Sequence, residues 1–153
     1  MKLKFTSNTS TVDEIAEHLK AVGPHFIPPL NTYVEDIDAY AEKLHKNSFI
    51  AEAWVGTVLV GISATYINDP NKETAFLTNT SVLNEYHRLG IGKKLSMMIM
   101  NKCVEECFSS IDTEINKENF NSLILYETIG FKIKMDLGNS FILTKNIKDV
   151  KGI

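Results

Sequence analysis

Three features of the sequence predict one mixed α/β domain. Segments with the two-residue alternation of strands interleave with segments of helical period, in the order β-α-α-β-β-β-α-β-α-β-β. The stretch from Thr74 to Ile115 reads strand, helix, strand, which makes it a right-handed crossover between parallel strands; short turns tie other strands into antiparallel hairpins. The chain has 153 residues, 44% hydrophobic and 23% charged, with no repeat, linker or low-complexity tract, as expected of a single domain over 1–153. The expected product is a mixed sheet with helices on both faces.

Each element follows from local chemistry. Lys2 to Thr6 forms an opening strand. Thr11-Val12-Asp13-Glu14 spells a capping box and starts a helix that Gly23-Pro24 stops after Val22. The prolines within His25 to Tyr33 exclude a helix interior or a central strand, so this apolar, aromatic segment is an ordered loop. Ile37, Tyr40, Ala41 and Leu44 place one apolar face on a helix from Asp36 to Lys46. Phe49 to Val55 and Val58 to Ile67 form a hairpin about Gly56-Thr57, and the turn-rich Asn68 to Asn71 leads to a strand from Thr74 to Val82. A loop with two glycines opens a long helix, Ile91 to Phe108. A strand (Ile111 to Ile115), a helix (Asn119 to Ile129) and two strands (Phe131 to Met135, Ser140 to Thr144) come next. The polar tail from Lys145 is expected to fray.

Composition removes several function classes. Sixteen Lys and Arg against nineteen Asp and Glu give a net charge of −3, which argues against nucleic acid as a partner. The longest apolar runs, such as Val58 to Ile62, are far too short for a membrane span. Met1 to Phe5 turns polar at once, without the apolar core of a targeting segment; with two cysteines and no disulfide framework, the expected location is cytoplasmic. Cys103 and Cys107 stand at i, i+4 without a further ligand nearby, so they read as apolar-face residues of the long helix and no metal is expected. Met97, Met98 and Met100 read as packing of the same helix, and His18 and His45 as solvent-facing.

The chemically informative stretch is Ser81-Val82-Leu83-Asn84-Glu85-Tyr86-His87-Arg88-Leu89-Gly90-Ile91-Gly92-Lys93-Lys94. A strand ends, a glycine loop intervenes and a helix begins. Unpaired N–H groups at a helix N-terminus, backed by the helix dipole, bind anions; glycines admit a phosphate close to the backbone, and Arg88, Lys93 and Lys94 add charge. A glycine turn that merely starts the helix is the plain alternative. Two other phosphate motifs are excluded by spelling. A Walker A loop needs Gly where His87 stands and Ser or Thr where Lys94 stands, and a dinucleotide fingerprint needs Gly at Leu95.

Here the chain resembles the GNAT family of acetyl-CoA-dependent N-acetyltransferases. Its signature, Gln/Arg-x-x-Gly-x-Gly/Ala between strand and helix, falls on His87-Arg88-Leu89-Gly90-Ile91-Gly92, with His87 departing at the first position. A second family pattern, Asn-x-x-Ala-x-x-Leu-Tyr-x-x-x-Gly-Phe, falls on Asn119 to Phe131, with Ser122 in the Ala position. The element order is also the family's, so the resemblance covers nearly the whole chain and implies the acyl-CoA N-acyltransferase fold.

The resemblance implies roles residue by residue. Thr80, Ser81 and Val82 would pair through their backbone with pantetheine, one amide polarising the thioester carbonyl. The amides of Arg88, Leu89, Gly90, Ile91, Gly92 and Lys93 would hold the pyrophosphate, and Asn119 would hydrogen-bond the CoA arm. Tyr126 would protonate the departing thiolate. Glu114, five residues before Asn119, matches a glutamate of relatives that acetylate protein N-terminal amines; partly desolvated, it would serve as general base. Glu73, Glu52 and Asp69 are weaker candidates expected near the same sheet end. The loop between the first two helices would line the acceptor pocket through His25, Phe26 and Tyr33. The implied activity is direct acetyl transfer from acetyl-CoA, without a metal, to a small-molecule amine such as an amino sugar. A protein N-terminal amine is the alternative acceptor, a non-catalytic acyl-CoA-binding module the alternative class, and the protein is expected to be a monomer or homodimer.

Overall fold

The computed structural model describes residues 2–147. The elements are β1 (Leu3–Ser7), α1 (Val12–Val22), α2 (Ile37–Asn47), β2 (Phe49–Val55), β3 (Val58–Tyr66), β4 (Thr74–Val82), α3 (Ile91–Glu105), β5 (Ser110–Asn116), α4 (Phe120–Thr128), β6 (Lys132–Asp136) and β7 (Ser140–Asn146). They form the anticipated mixed α/β fold, a seven-stranded sheet in the order β1-β2-β3-β4-β5-β7-β6. Among the described residues only β4 and β5 pair in parallel, joined across α3; the other neighbours are antiparallel.

Two apolar layers hold the helices to the sheet. On one face Ile15, Leu19 and Val22 of α1 and Ala41 and Leu44 of α2 pack on Ile50, Leu59, Ile62 and Ala64. On the other, Ile91, Leu95, Ile99 and Cys103 of α3, with Tyr126 of α4, pack on Ala51, Ala53, Val60, Ala75, Leu77 and Ile111. Each fully buried Leu or Ile adds about 1.5–3 kcal/mol of apolar transfer. Gly61 lets α3 lie close, since a Cβ there would stand 3.1 Å from Ile91 Cγ2 and 3.2 Å from Leu95 Cδ1.

The capping box closes as spelled: Thr11 Oγ1 accepts from Glu14 N at 3.1 Å and Glu14 Oε1 from Thr11 N at 2.9 Å. Gly56 turns the β2–β3 hairpin at φ +60°. Other expectations are corrected. α3 ends at Glu105 rather than Phe108, because Cys107 takes φ +63° and breaks the helix; it is therefore exposed, while Cys103 is buried. Met97 points outward, at 39% exposure, so it does not pack with Met100. The segment from His25 to Tyr33 is the loop expected; it follows a 3-10 turn at Gly23–His25 and contains another at Leu30–Thr32, anchored by the buried Leu30. β7 extends through Lys145 and Asn146, which pair with Ile111 and Ser110, and Ile147 is buried, so the chain stays ordered past Thr144; the rest of the tail lies outside the described residues.

His18 overturns its expectation most fully. It is 3% exposed, with Nδ1 donating to Leu59 O at 3.0 Å and Nε2 2.9 Å from Ser81 Oγ. Helical position puts it beside Ile15 and Leu19, on the face that meets the sheet. Burial lowers its pKa to about 4, so the ring is neutral near pH 7.

Candidate active site

The site begins with one extra residue in β4. Thr65 of β3 pairs with Leu77, but Ala64 pairs with Asn79, so Thr78 bulges out of the ladder. The bulge reverses the faces of the residues beyond it. Ala75 and Leu77 face α3, whereas Asn79 and Ser81 turn toward α1 and α2, and Thr80 toward α4.

β5 leaves β4 at the same place. Their pairing ends at Leu77↔Thr113, where Thr113 Oγ1 donates to Leu77 O at 2.8 Å. Beyond it β4 runs on to Val82 and β5 to Asn116 without meeting. The backbone groups of β4 that would have paired with β5 face the opening, where a ligand can satisfy them.

The glycine loop borders this opening. Leu83 N donates to Val60 O at 2.8 Å and His87 Nε2 to Val82 O at 2.8 Å, which folds the loop back on the end of β4. His87, the residue that departs from the family spelling, thus closes the loop with its own hydrogen bond. Arg88 at φ +66° and Gly90 at φ +76° turn the chain into α3. The first helical bond there runs from Lys94 N to Gly90 O at 3.0 Å, and no side chain caps the helix. The amides of Ile91, Gly92 and Lys93 therefore precede the helical ladder, as an anion site requires.

A continuous cleft of about 680 Å³ joins the strand opening, the glycine loop and the loop after α1. It brings together most of the residues singled out from sequence: His25, Phe26, Tyr33, Thr80, Ser81, Val82, Arg88, Gly90, Ile91, Gly92, Lys93, Glu114, Asn119 and Tyr126 all line it. Leu89 does not, and is 48% exposed. The charge of the cleft is uneven: Arg88 and Lys93 mark the α3 end, and Glu114 is the one carboxylate among the described lining residues.

Tyr126 lies at the floor. Its ring meets Phe131 edge-on at 5.2 Å between centroids, and its hydroxyl donates to Thr80 Oγ1 at 3.0 Å. Thr80 Oγ1 is in turn 2.8 Å from Ser63 Oγ. Burial pushes the phenol pKa up, against the smaller effect of the Thr80 bond, so Tyr126 keeps its proton at neutral pH and is a donor.

Asn119 caps α4, its Oδ1 accepting from Ser122 N at 3.2 Å, so its NH2 is the end left for a ligand. Glu114 takes a hydrogen bond from Ser140 Oγ at 2.6 Å. It alternates with Thr113 and Ile115 and so shares with the buried Asp112 the face of β5 turned away from α3. It is exposed rather than desolvated as expected, because α1 and α2 cover β2 to β4 and leave this part of the sheet open. Phe26 is half-buried at the cleft wall, while His25 and Tyr33 are exposed at its rim.

The weaker carboxylate candidates fall away. Glu52 is fully buried and accepts from Thr6 Oγ1 and from the backbone and hydroxyl groups of Thr9 and Ser10, which tie down the turn before α1. Burial, the largest single influence, pushes its pKa up, but these bonds together outweigh it and bring the pKa below the ordinary value. Asp69 caps the turn before β4 through Asn71 N and Glu73 N. That turn and Glu73 stand at the opposite end of β4 from the opening. Sequence reading missed His18, Asn79 and Gly61, whose roles depend on strand register. Among the described residues no cluster of His, Cys, Asp or Glu could hold a metal ion, and no helix is long and apolar enough to cross a membrane.

Comparison with known structures agrees with this architecture. PaiA N-acetyltransferase from Thermoplasma acidophilum, solved in complex with coenzyme A, matches with TM-score 0.73 and 16% identity over 95% of this chain and 99% of its own. The ribosomal-protein-S18-alanine N-acetyltransferase from Escherichia coli matches with TM-score 0.74 and 16% identity over 95% and 94%. An aminoglycoside 6'-acetyltransferase type Ii matches with TM-score 0.77 and 15% identity over 96% and 97%. No curated protein matches at the sequence level. The model of the acetyltransferase (GNAT) family matches residues 13–131, from the first turn of α1 to the Phe131 that packs on Tyr126. With that match over most of its length, the chain belongs to the GNAT family of acetyltransferases.

Proposed function

We propose that this acetyltransferase transfers the acetyl group of acetyl-CoA to a compact primary amine, such as an amino sugar, by direct attack with both substrates bound. The observation that carries the reading is the single cleft in which an uncapped helix N-terminus, an unpaired strand edge and the Tyr126 hydroxyl succeed one another. That order suits the pyrophosphate, pantetheine and thioester of one extended substrate. Pyrophosphate would rest on the amides of α3 beside Arg88 and Lys93. The pantetheine amides would pair with Thr80 to Val82, as an added strand does. One amide of β4 would face the developing oxyanion. Tyr126 would give its proton to the thiolate as the carbon–sulfur bond breaks.

The acceptor would enter past His25, Phe26 and Tyr33. Glu114 would take the first proton from its ammonium group, directly or through one water. A lining with one carboxylate suits an acceptor of a single positive charge better than a polycation. A second reading, acetylation of a protein N-terminal amine, draws support from Glu114 at the cleft and from the likeness to the Escherichia coli enzyme. A single domain, a cytoplasmic location and a monomeric or homodimeric state complete the proposal and rest on the sequence alone.

The test is a panel of amino sugars, amino acids, polyamines and short peptides with free N-termini, monitored by CoA release. Fastest turnover with an amino sugar supports the first reading, and fastest turnover with a peptide supports the second. Glu114→Gln should lower kcat/KM for that acceptor and recover in part at high pH, where free amine is more abundant. An unchanged rate and pH profile would remove Glu114 from the mechanism.

A further inference from the structure

We propose that Ser81 and His18 form a buried proton relay on the acceptor side of the cleft, in which His18 takes the second proton of the acceptor amine through the Ser81 hydroxyl. The proposal rests on the acetyl-transfer reading and supplies a step that reading leaves open. An ammonium that becomes an amide loses two protons: R–NH3⁺ and an acetyl thioester give R–NH–acetyl, a thiol and one released H⁺. Glu114 receives the first. Once the carbon–nitrogen bond has formed, the nitrogen is again positive, and it must shed the second proton if sulfur rather than nitrogen is to leave.

Ser81 is placed for that proton. The Thr78 bulge turns its side chain to the α1 and α2 layer, and it lines the cleft. Its hydroxyl oxygen lies 2.9 Å from His18 Nε2 and 3.2 Å from Asn79 Oδ1, and the Asn79 NH2 lies 3.5 Å from Tyr40 Oη. Leu59 O can only accept, so His18 Nδ1 carries a hydrogen. In the neutral ring Nε2 is then bare and takes the Ser81 hydroxyl hydrogen, which leaves Ser81 Oγ as an acceptor facing the cleft. A half-turn of the nearly symmetric Asn79 amide would let its NH2 donate to Ser81 Oγ and its Oδ1 accept from Tyr40.

Protonation of His18 reverses this chain without breaking it. With the amide as it stands in the structure, Nε2–H donates to Ser81 Oγ, the Ser81 hydroxyl to Asn79 Oδ1, and the Asn79 NH2 to Tyr40 Oη. That half-turn of the Asn79 amide is the one rearrangement that separates the two states. Both protonation states of a buried histidine are thus fully hydrogen-bonded, an unusual provision for a ring that only fills space. Apart from Ser81, Asn79, Tyr40 and the Leu59 carbonyl, the nearby titratable groups are otherwise engaged. Glu52 of β2 faces the same layer with its oxygens held by Thr6, Thr9 and Ser10; on α1, Glu14 caps the helix, and Asp13 and Glu17 are exposed.

The step balances. The nitrogen proton passes to Ser81 Oγ as the hydroxyl proton passes to His18 Nε2; the carbon–sulfur electron pair leaves on sulfur, which takes the Tyr126 proton. Glu114 and His18 have then gained two protons and Tyr126 has lost one. As products leave, water returns one to Tyr126 and carries the other to bulk.

The test uses acetyl-CoA with glucosamine and with a short peptide bearing a free N-terminus. Ser81→Ala and His18→Gln should each lower kcat roughly 10²-fold, with acceptor KM and acetyl-CoA affinity little changed, and Ser81→Thr should restore most of the loss. In H2O–D2O mixtures the wild-type rate should curve with deuterium content, since two protons move together, and Ser81→Ala should make the dependence linear. Unchanged kcat or unchanged curvature in Ser81→Ala would overturn the relay while leaving acetyl transfer intact. No transfer to any amine by the wild type would overturn the acetyl-transfer reading and the relay with it. Independently of turnover, 15N spectra of labelled histidine should give His18 as the Nδ1–H tautomer with an Nε2 resonance that moves in Ser81→Ala; an Nε2–H tautomer would overturn the relay.

Discussion

Replacing Tyr126 by Phe separates the ring from its hydroxyl. The ring is buried among apolar neighbours and holds its edge contact with Phe131, so the variant keeps the packing. What disappears is the bond to Thr80, whose oxygen still has Ser63 at 2.8 Å and so is not orphaned. A buried hydrogen bond lost without an unsatisfied partner costs about 1 kcal/mol, so urea denaturation should give a small drop in stability with an unchanged slope. Catalysis should suffer much more. Loss of a positioned general acid lowers kcat roughly 10²-fold, and acetyl-CoA affinity by calorimetry should stay near wild type. The assay is single-turnover CoA release with a thiol reagent, which keeps product release from masking the chemical step. Wild-type single-turnover rates in a folded Tyr126→Phe protein would refute the acid role and reduce the Tyr126–Thr80 bond to a structural one.

The same geometry sets three more outcomes. Gly92→Ala puts a Cβ 3.6 Å from Leu125 Cδ2, an ordinary contact, so the variant should fold with equal or slightly greater stability yet lose acetyl-CoA affinity at least about tenfold by calorimetry, because the methyl intrudes where phosphate would meet the α3 amides. Glu52→Gln replaces an all-acceptor group with one whose NH2 faces hydroxyl and amide donors, and should cost about 3 kcal/mol in denaturant titrations. His18 falls from its ordinary value of 6.5 to about 4 on folding, so between those pH values the unfolded chain binds the extra proton. Stability should therefore fall as pH drops from 6.5 to 4, by about 3 kcal/mol from this residue, with no contribution above 7; His18→Gln should lack that part of the slope in pH-dependent unfolding.

The legible parts of this protein are those written as local spelling. Thr11 to Glu14, Gly56-Thr57 and the glycines before α3 each specify a cap, a hairpin or a helix start by their own geometry, and all form as spelled. Two patterns, His87 to Gly92 and Asn119 to Phe131, carry the family. What escapes is long-range register. Nothing near His18 in sequence announces Ser81 and Leu59, which reach it only after β3 and β4 pair with a residue to spare. Nor can alternation choose a side for Glu114, whose exposure depends on how far α1 and α2 extend across the sheet. Cys107 departs from its expected place for a local reason: helical phase does not survive the point where the backbone turns left-handed.

The extra residue at Thr78 acts as a phase shift in a two-state count. Upstream of it odd positions of β4 look toward α3; downstream they look toward α1. Flatten the bulge while keeping Thr78 in the ladder and, with identical side chains, Ser81 would rotate into the compartment of Tyr126 while Thr80 would rotate out of it. The division between a donor side and an acceptor side is therefore encoded in parity rather than in residue identity. Substitution tables are blind to it. A homologue of equal length whose β4 ran without the bulge would align residue for residue and yet present its reactive hydroxyls to opposite partners.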